Sequence, residues 1–475
     1  MTSPCLLQSR SSRRRTLGSI FVGMVLAVVA CGVSLRCAGA GGSGIVFDRT
    51  GIDITRALHA GMRVNADNST WWSRIIANTL HDVVFSEQTA AHLRSYHVIL
   101  IPGGEFDAAS ELLRYCEEGA LPVELSAFFD RNPTTRRDVE AFLDNYICPE
   151  PDALRTLYNT LLGTFRTYES VLAAHGIAVT RLDYFAPEGP TRIGDRIGKL
   201  DLIARTIEQL DNGTRRFILI GHSFGGLNIC DFLVELCNGH RPGMPEWKFF
   251  SRTRVRSWSD EKKASVLRRI AAAVFLNSFL QGNLSNERRL EKKAATEGLN
   301  SPDPVGEYIQ QVLTRAGDGA VSTEDYIADD ATHLALITAR YRTGYYLAGR
   351  NTADGSTTAA VRDALRSIAA RMPLVSICCR VPSVLPYLRV GINLLVYTAQ
   401  EKWEAERHPN DGAVNTYGGI FPMPEALYAV FHGMDHGTLV MRPDLRVVTS
   451  GSAYDQVPFI KTLLSLIASR LQDNT

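Results

Sequence analysis

The sequence predicts an α/β fold on a mostly parallel sheet, with helices on both faces and helical insertions over the edge that carries the site. Three observations predict it. Short apolar runs bounded by turn residues alternate with longer helical stretches, the pattern of strand–helix–strand units. The runs are apolar throughout, as strands buried on both faces are. One of them, Arg215–Ile220, leads straight into Gly221-His222-Ser223-Phe224-Gly225 and then into a helical stretch, Leu227–Cys237.

Taken in order, residues 41–95 read as an N-terminal extension with a helical stretch around Trp71–Leu80. His97–Ile101 reads as a buried strand closed by Pro102-Gly103-Gly104. Residues 105–150 are polar and helical. Leu154–His175 is a helix that stops before Gly176, and Ile177–Asp183 alternates like a strand. Ile193–Leu210 is a helix ended by Asp211-Asn212-Gly213. Phe217–Ile220, Ile270–Leu276, Pro373–Cys378 and Ala426–Phe431 complete the strands. The main domain is therefore 96–475. Its irregular helical stretches, 105–150 and 278–372, are expected as insertions over the carboxyl edge, where sites of open α/β sheets lie.

Composition narrows the class. The chain has 475 residues, 45% hydrophobic and 21% charged, with a formal net charge of +1, an ordinary globular balance. No basic stripe with interleaved aromatics is present, so a nucleic-acid partner is not expected. The N-terminus is different. Arg10, Arg13, Arg14 and Arg15 precede an apolar run from Leu17 to Val33, which predicts a signal peptide or membrane anchor over 1–40. Val28-Val29-Ala30-Cys31 resembles a lipobox, which would leave Cys31 lipidated. Ala38-Gly39-Ala40 resembles an ordinary signal-peptidase site, and an uncleaved anchor is a third reading. Ser12-Arg13-Arg14 also resembles a twin-arginine signal. Each reading places the body of the protein in the cell envelope or outside it, membrane-anchored or secreted.

Six cysteines follow the leader: Cys116, Cys148, Cys230, Cys237, Cys378 and Cys379. Cys230 and Cys237 lie about 10 Å apart along a helix axis, too far to bond. Cys378 and Cys379 point to opposite strand faces. Cys116–Cys148 is the one pair to entertain. No spacing resembles a zinc site, and neither a metal nor another cofactor is called for.

The chemistry centres on Gly221-His222-Ser223-Phe224-Gly225. Between a strand and a helix, Gly-x-Ser-x-Gly forms a strained turn that projects the serine above the sheet. Larger side chains at 221 and 225 would strike neighbouring backbone, and the following helix N-terminus favours developing negative charge. A serine needs a base, and the base an orienting acid. Asp411, in Asn410-Asp411-Gly412-Ala413-Val414, and His436, in His432-Gly433-Met434-Asp435-His436-Gly437, both follow predicted strands on the edge that holds Ser223. Asn-Asp-Gly is also ordinary turn chemistry. His432 competes as the base, but it falls within or just beyond its strand, and Asp435 would point elsewhere. An oxyanion hole needs two backbone N–H groups. Phe224 supplies one and the Pro102-Gly103-Gly104-Glu105 loop the other, from Gly104 first and Glu105 next.

These segments resemble the α/β-hydrolase superfamily, and within it bacterial lipases and esterases. The residues that carry the resemblance are Ile-Pro-Gly-Gly at 101–104, Ile-Gly-His-Ser-Phe-Gly-Gly at 220–226, Asn-Asp-Gly-Ala-Val at 410–414 and Asp-His-Gly at 435–437. It covers roughly 96–470 apart from the insertions. Two places depart from the usual pattern: proline stands before the oxyanion glycine where histidine is usual, and Asn277-Ser278-Phe279 stands where many lipases have Thr-Pro. The resemblance implies a catalytic domain over 96–475 with Ser223, Asp411 and His436 as its triad. It implies a serine hydrolase of carboxylic esters acting on acyl-ester or lipid substrates. An amidase, thioesterase or acyltransferase on the same scaffold is the alternative, as is a non-catalytic envelope protein with a relic elbow. The apolar segment 381–397 reads either as core or as an acyl groove lined by Val384, Leu385, Tyr387 and Leu388.

Overall fold

The structure, a computed structural model, describes residues 46–66, 85–103, 165–182, 196–317, 335–349, 356–380, 409–440 and 456–472, apart from positions 245, 248–249, 251, 300, 412–413, 433, 435 and 438. The leader, the helical stretch around Trp71–Leu80, the 105–150 insertion, Cys116 with Cys148, and the 381–397 segment lie outside the described residues.

Along the chain run β1 (Ile52–Asp53), α1 (Thr55–Ala66), α2 (Glu87–Leu93), β2 (Tyr96–Ile101), α3 (Arg166–Ala174), β3 (Ala178–Arg181), α4 (Arg196–Leu210), β4 (Arg216–His222) and α5 (Phe224–Leu236). There follow α6 (Asp260–Arg269), β5 (Ile270–Leu276), α7 (Leu284–Thr296), α8 (Pro304–Gly317), a short helical turn over Ala339–Tyr341 continued as a π-turn over Arg342–Tyr346, α9 (Ala360–Ala369), β6 (Leu374–Arg380), β7 (Leu427–His432) and α10 (Gln456–Gln472). The strands form one sheet in the order β1-β7-β6-β5-β4-β2-β3. Every pair in it is parallel.

The continuous apolar runs now have a cause. Successive strand residues point to opposite faces, and here both faces are covered. Ile99, Ile101, Phe217, Leu219 and Phe275 pack under Ile203, Ile207, Leu233 and Leu365, from α4, α5 and α9. Val98, Leu100, Ile218, Ile220 and Val274 pack under Leu58, Leu172, Leu463 and Ile467, from α1, α3 and α10.

Register places the site. Ile101 lies beside Gly221, and His222 beside Leu276. The carboxyl ends of β2, β4 and β5 are therefore level, and Pro102, Ser223 and Asn277 leave the sheet at one edge. The expected strands all form, with ends that differ by at most two residues, and Ile270–Leu276 forms with the expected bounds. β1 was not foreseen: it is a two-residue pair on β7 with both residues exposed, too short and too wet to leave a pattern. The expected helix Ile193–Leu210 is observed from Arg196 onward, and Leu154–His175 from Arg166.

Candidate active site

Ser223 sits between the last residue of β4 and the first of α5, with φ 53° and ψ −121°. A non-glycine residue at positive φ is uncommon and costly. Its surroundings hold it there. The Ser223 N–H donates to the Leu276 carbonyl at 2.9 Å, and the Ser223 carbonyl accepts from the N–H groups of Gly226 (3.2 Å) and Leu227 (3.3 Å). The flanking glycines leave no room for a side chain. A Cβ at Gly221 would stand 2.6 Å from the Gly225 carbonyl carbon, and one at Gly225 would run into the carbonyls of Ile101 and Pro102. The loop that begins at Pro102 is thus in contact with the turn that carries the serine. Gly104 and Glu105, the expected second oxyanion donors, lie outside the described residues. Phe224, the residue after the serine, is the first residue of α5.

Asp411 and His436 are brought together. His436 Nδ1 lies 2.8 Å from Asp411 Oδ2. The Asp411 side chain is 1% exposed and that of His436 is 12% exposed, so the pair is shielded while the imidazole keeps access to the surface. Asp411 is presented by a tight turn: its N–H donates to the Val414 carbonyl at 3.1 Å, and its Oδ1 accepts from the Val414 N–H at 2.8 Å. That turn is tied to the end of β6, where Thr416 Oγ1 donates to the Cys379 carbonyl at 2.8 Å. Both carboxylate oxygens are engaged as acceptors. Nδ1 of His436 must therefore carry a proton, and in the neutral imidazole Nε2 then has the lone pair.

His432 is the last residue of β7 and is exposed, so it is not part of this pair. Asp435 lies outside the described residues. Two residues in the site had not been singled out as donors. His222 Nε2 lies 2.8 Å from the His436 carbonyl, and its ring faces the His436 ring at a centroid distance of 4.7 Å. A carbonyl can only accept, so His222 Nε2 carries a proton. Asn277 Nδ2 donates to the same carbonyl at 2.8 Å. Nothing in the local sequence signals either bond, because both depend on how the loop after β7 reaches across β6 to the ends of β5 and β4.

Phe224 and Phe279 meet edge to face at 4.7 Å. With Leu227, Ile337 and Val414 they form an apolar cluster that joins the residue after the serine to the turn of the acid. Burial, aided by the Asp411 charge, pushes the Cys378 thiol well up, and burial pushes Cys230 up to about 12. Cys230, Cys237, Cys378 and Cys379 are free thiols. Among the described residues, no group of three or more His, Cys, Asp or Glu could hold a metal ion.

No family model matches the chain, and no curated protein does. Solved structures do. A metagenomic carboxyl esterase is 15% identical, with 80% of this chain and 77% of that one covered at a TM-score of 0.38. Staphylococcus hyicus lipase is 11% identical, with 80% and 96% covered at 0.36. Bacillus licheniformis lipase in its mature form is 11% identical, with 72% and 85% covered at 0.32. At such TM-scores the likeness carries no argument about chemistry. The open parallel sheet, the strained serine turn between β4 and α5, and the site at the carboxyl edge of the strands make this an α/β-hydrolase-like fold.

Proposed function

We propose that the protein is a serine hydrolase that cleaves carboxylic esters, with Ser223 as nucleophile, His436 as base and Asp411 as orienting acid. The observation that carries this reading is the Asp411–His436 hydrogen bond on the sheet edge that also presents Ser223 in a strained turn. His436 Nε2 takes the Ser223 proton as Oγ attacks the ester carbonyl. Asp411 holds the imidazole tautomer and stabilises its charge. The N–H of Phe224 and an N–H from the Gly104 loop bind the oxyanion. His436 then gives its proton to the leaving alcohol, the C–O bond breaks, and an acyl-enzyme remains. A water that loses its proton to the same nitrogen attacks the acyl carbon; His436 then passes that proton to Ser223 Oγ as the acyl C–O bond breaks, which releases the acid and restores the serine. No cofactor enters these steps.

Lipid acyl esters are the proposed substrate class, and the envelope the proposed place of action. The Gly-His-Ser-x-Gly-Gly and Asn-Asp-Gly-x-Val resemblance to lipases supports the first. The arginines and apolar run of 1–40, with Cys31 as a lipidation candidate, support the second. The test is hydrolysis of acyl esters of increasing chain length, with matched amides and thioesters, by wild type and Ser223→Ala. Ester turnover that Ser223→Ala lowers by about four orders of magnitude at unchanged melting temperature is expected. Undiminished ester turnover in that variant would remove the assignment, and a preference for amides would move the reaction class.

A further inference from the structure

The backbone of His436 is fixed on both sides of its α-carbon. The His436 N–H donates to the Asp411 carbonyl at 2.9 Å, and its carbonyl accepts from Asn277 Nδ2 and His222 Nε2, each at 2.8 Å. Asn277 is itself anchored on both sides. Its N–H donates to the Ile377 carbonyl at 2.7 Å, and its Oδ1 accepts from the Cys379 N–H at 2.8 Å. The two ends of its carboxamide are therefore told apart by chemistry: only the NH2 can face a carbonyl, and only the oxygen an N–H. Leu276, the residue before it, accepts the Ser223 N–H at 2.9 Å. Asn277 thus joins the end of β5, the end of β6, the serine turn and the base loop.

Its own backbone fits this use. Asn277 is 1% exposed and has φ 46°, a region that asparagine enters more readily than most non-glycine residues. Glycine would satisfy the backbone alone. Aspartate would satisfy the backbone and the Cys379 N–H, but would turn a second oxygen lone pair toward the His436 carbonyl. Of these three residues, asparagine alone meets all three demands.

We propose that Asn277 is a positioning residue for the hydrolysis put forward above, a reading on which this inference rests: its carboxamide sets the peptide of His436, and through it the imidazole, relative to Ser223 Oγ. With its peptide held by Asn277 and His222 and its Nδ1 held by Asp411, the base has little freedom left to search for the serine proton.

The experiment compares wild type, Asn277→Asp and Asn277→Gly by steady-state kinetics on a soluble short-chain ester, by thermal melting, and by the rate at which a fluorophosphonate labels Ser223. In Asn277→Asp, kcat is expected to fall about 10- to 100-fold, the scale of a ~1 Å misplacement. KM should stay within about twofold and labelling should slow in proportion to kcat; the melting temperature should fall, because the variant buries an oxygen against the His436 carbonyl. Asn277→Gly keeps the backbone conformation, loses both side-chain bonds, and should fall at least as far; it decides the matter if the aspartate variant does not fold. Wild-type kcat in a folded variant overturns the proposal. So does failure of both variants to fold, which makes Asn277 a structural residue only. A wild type that fluorophosphonate does not label at Ser223 overturns the hydrolase reading itself, an outcome distinct from a labelled wild type whose Asn277 variants turn over normally.

Discussion

At the residue scale, the two oxygens of Asp411 face two N–H donors, His436 Nδ1 and the Val414 amide. Asp411→Asn would put an NH2 against one of them. Either the turn opens or the imidazole loses its orientation and tautomer. Turnover on a soluble ester should fall by about three to four orders of magnitude, with a small change in melting temperature. His432→Ala should be close to wild type, because His432 ends β7 in solvent. Steady-state kinetics on both variants check this, and a dead His432→Ala beside an active Asp411→Asn would reverse the assignment of the base. The placements of these residues differ in how far the sequence revealed them. Ser223 was legible because its turn demands glycine at 221 and 225, a requirement written into five consecutive letters. The Asp411–His436 pairing was legible from chain order and turn chemistry. Asn277 was visible only as a departure from a familiar pattern. Its bonds to Cys379 and His436 exist because β5 stops at Leu276, level with Ile377, while β6 runs on to Arg380 beside the end of β7, which no local spacing encodes.

At the element scale, α5 is the helix the sequence described least fully. From Gly225 to Leu236 it is buried throughout, yet it carries Asp231 and Glu235. Arg196 from α4 and Arg342 from the π-turn pair with Asp231. Arg256 and His240 pair with Glu235. Burial alone would push the Asp231 carboxyl up, but the two guanidinium groups more than reverse this and hold it below the usual range. Hydropathy cannot reveal such a helix, because its charges are balanced by residues outside it, from 5 to 111 positions away. Glu287 on α7 is the opposite case. Burial raises its carboxyl to about 7, against the pull of the Arg340 N–H and guanidinium. The folded protein then binds more protons than the unfolded chain between the ordinary carboxylate range and pH 7. The Glu287 contribution to stability falls as pH rises through that window and is level above it. Glu287→Gln keeps an oxygen for the Arg340 N–H, which Glu287 Oε1 accepts at 2.8 Å, and gives up an ion pair of 3.9 Å. The variant should gain on the wild type between pH 5 and pH 8, by an amount on the order of 2 kcal/mol. Denaturant melts across that range check it, and a difference that does not vary with pH would contradict it.

At the scale of the whole molecule, strands and helices were legible because burial on both sheet faces makes each strand a continuous apolar run. Their ends were less so, since the register of neighbouring strands decides where a ladder stops. The envelope reading rests on the first 40 residues, and the intact mass of the protein from its native host tests it. A lipid-bearing N-terminus at Cys31 or cleavage after Ala40 is expected, and a mature chain that begins at Met1 without a membrane association would contradict it. The central claim is narrower and more directly tested: Ser223 is a nucleophile activated by His436 and Asp411. The folded protein is treated with a fluorophosphonate, and the adduct is located by peptide mass mapping. The account predicts one adduct, on Ser223, absent in Ser223→Ala and formed far more slowly in His436→Ala. An unlabelled folded protein, an adduct on another residue, or labelling indifferent to His436 would contradict it.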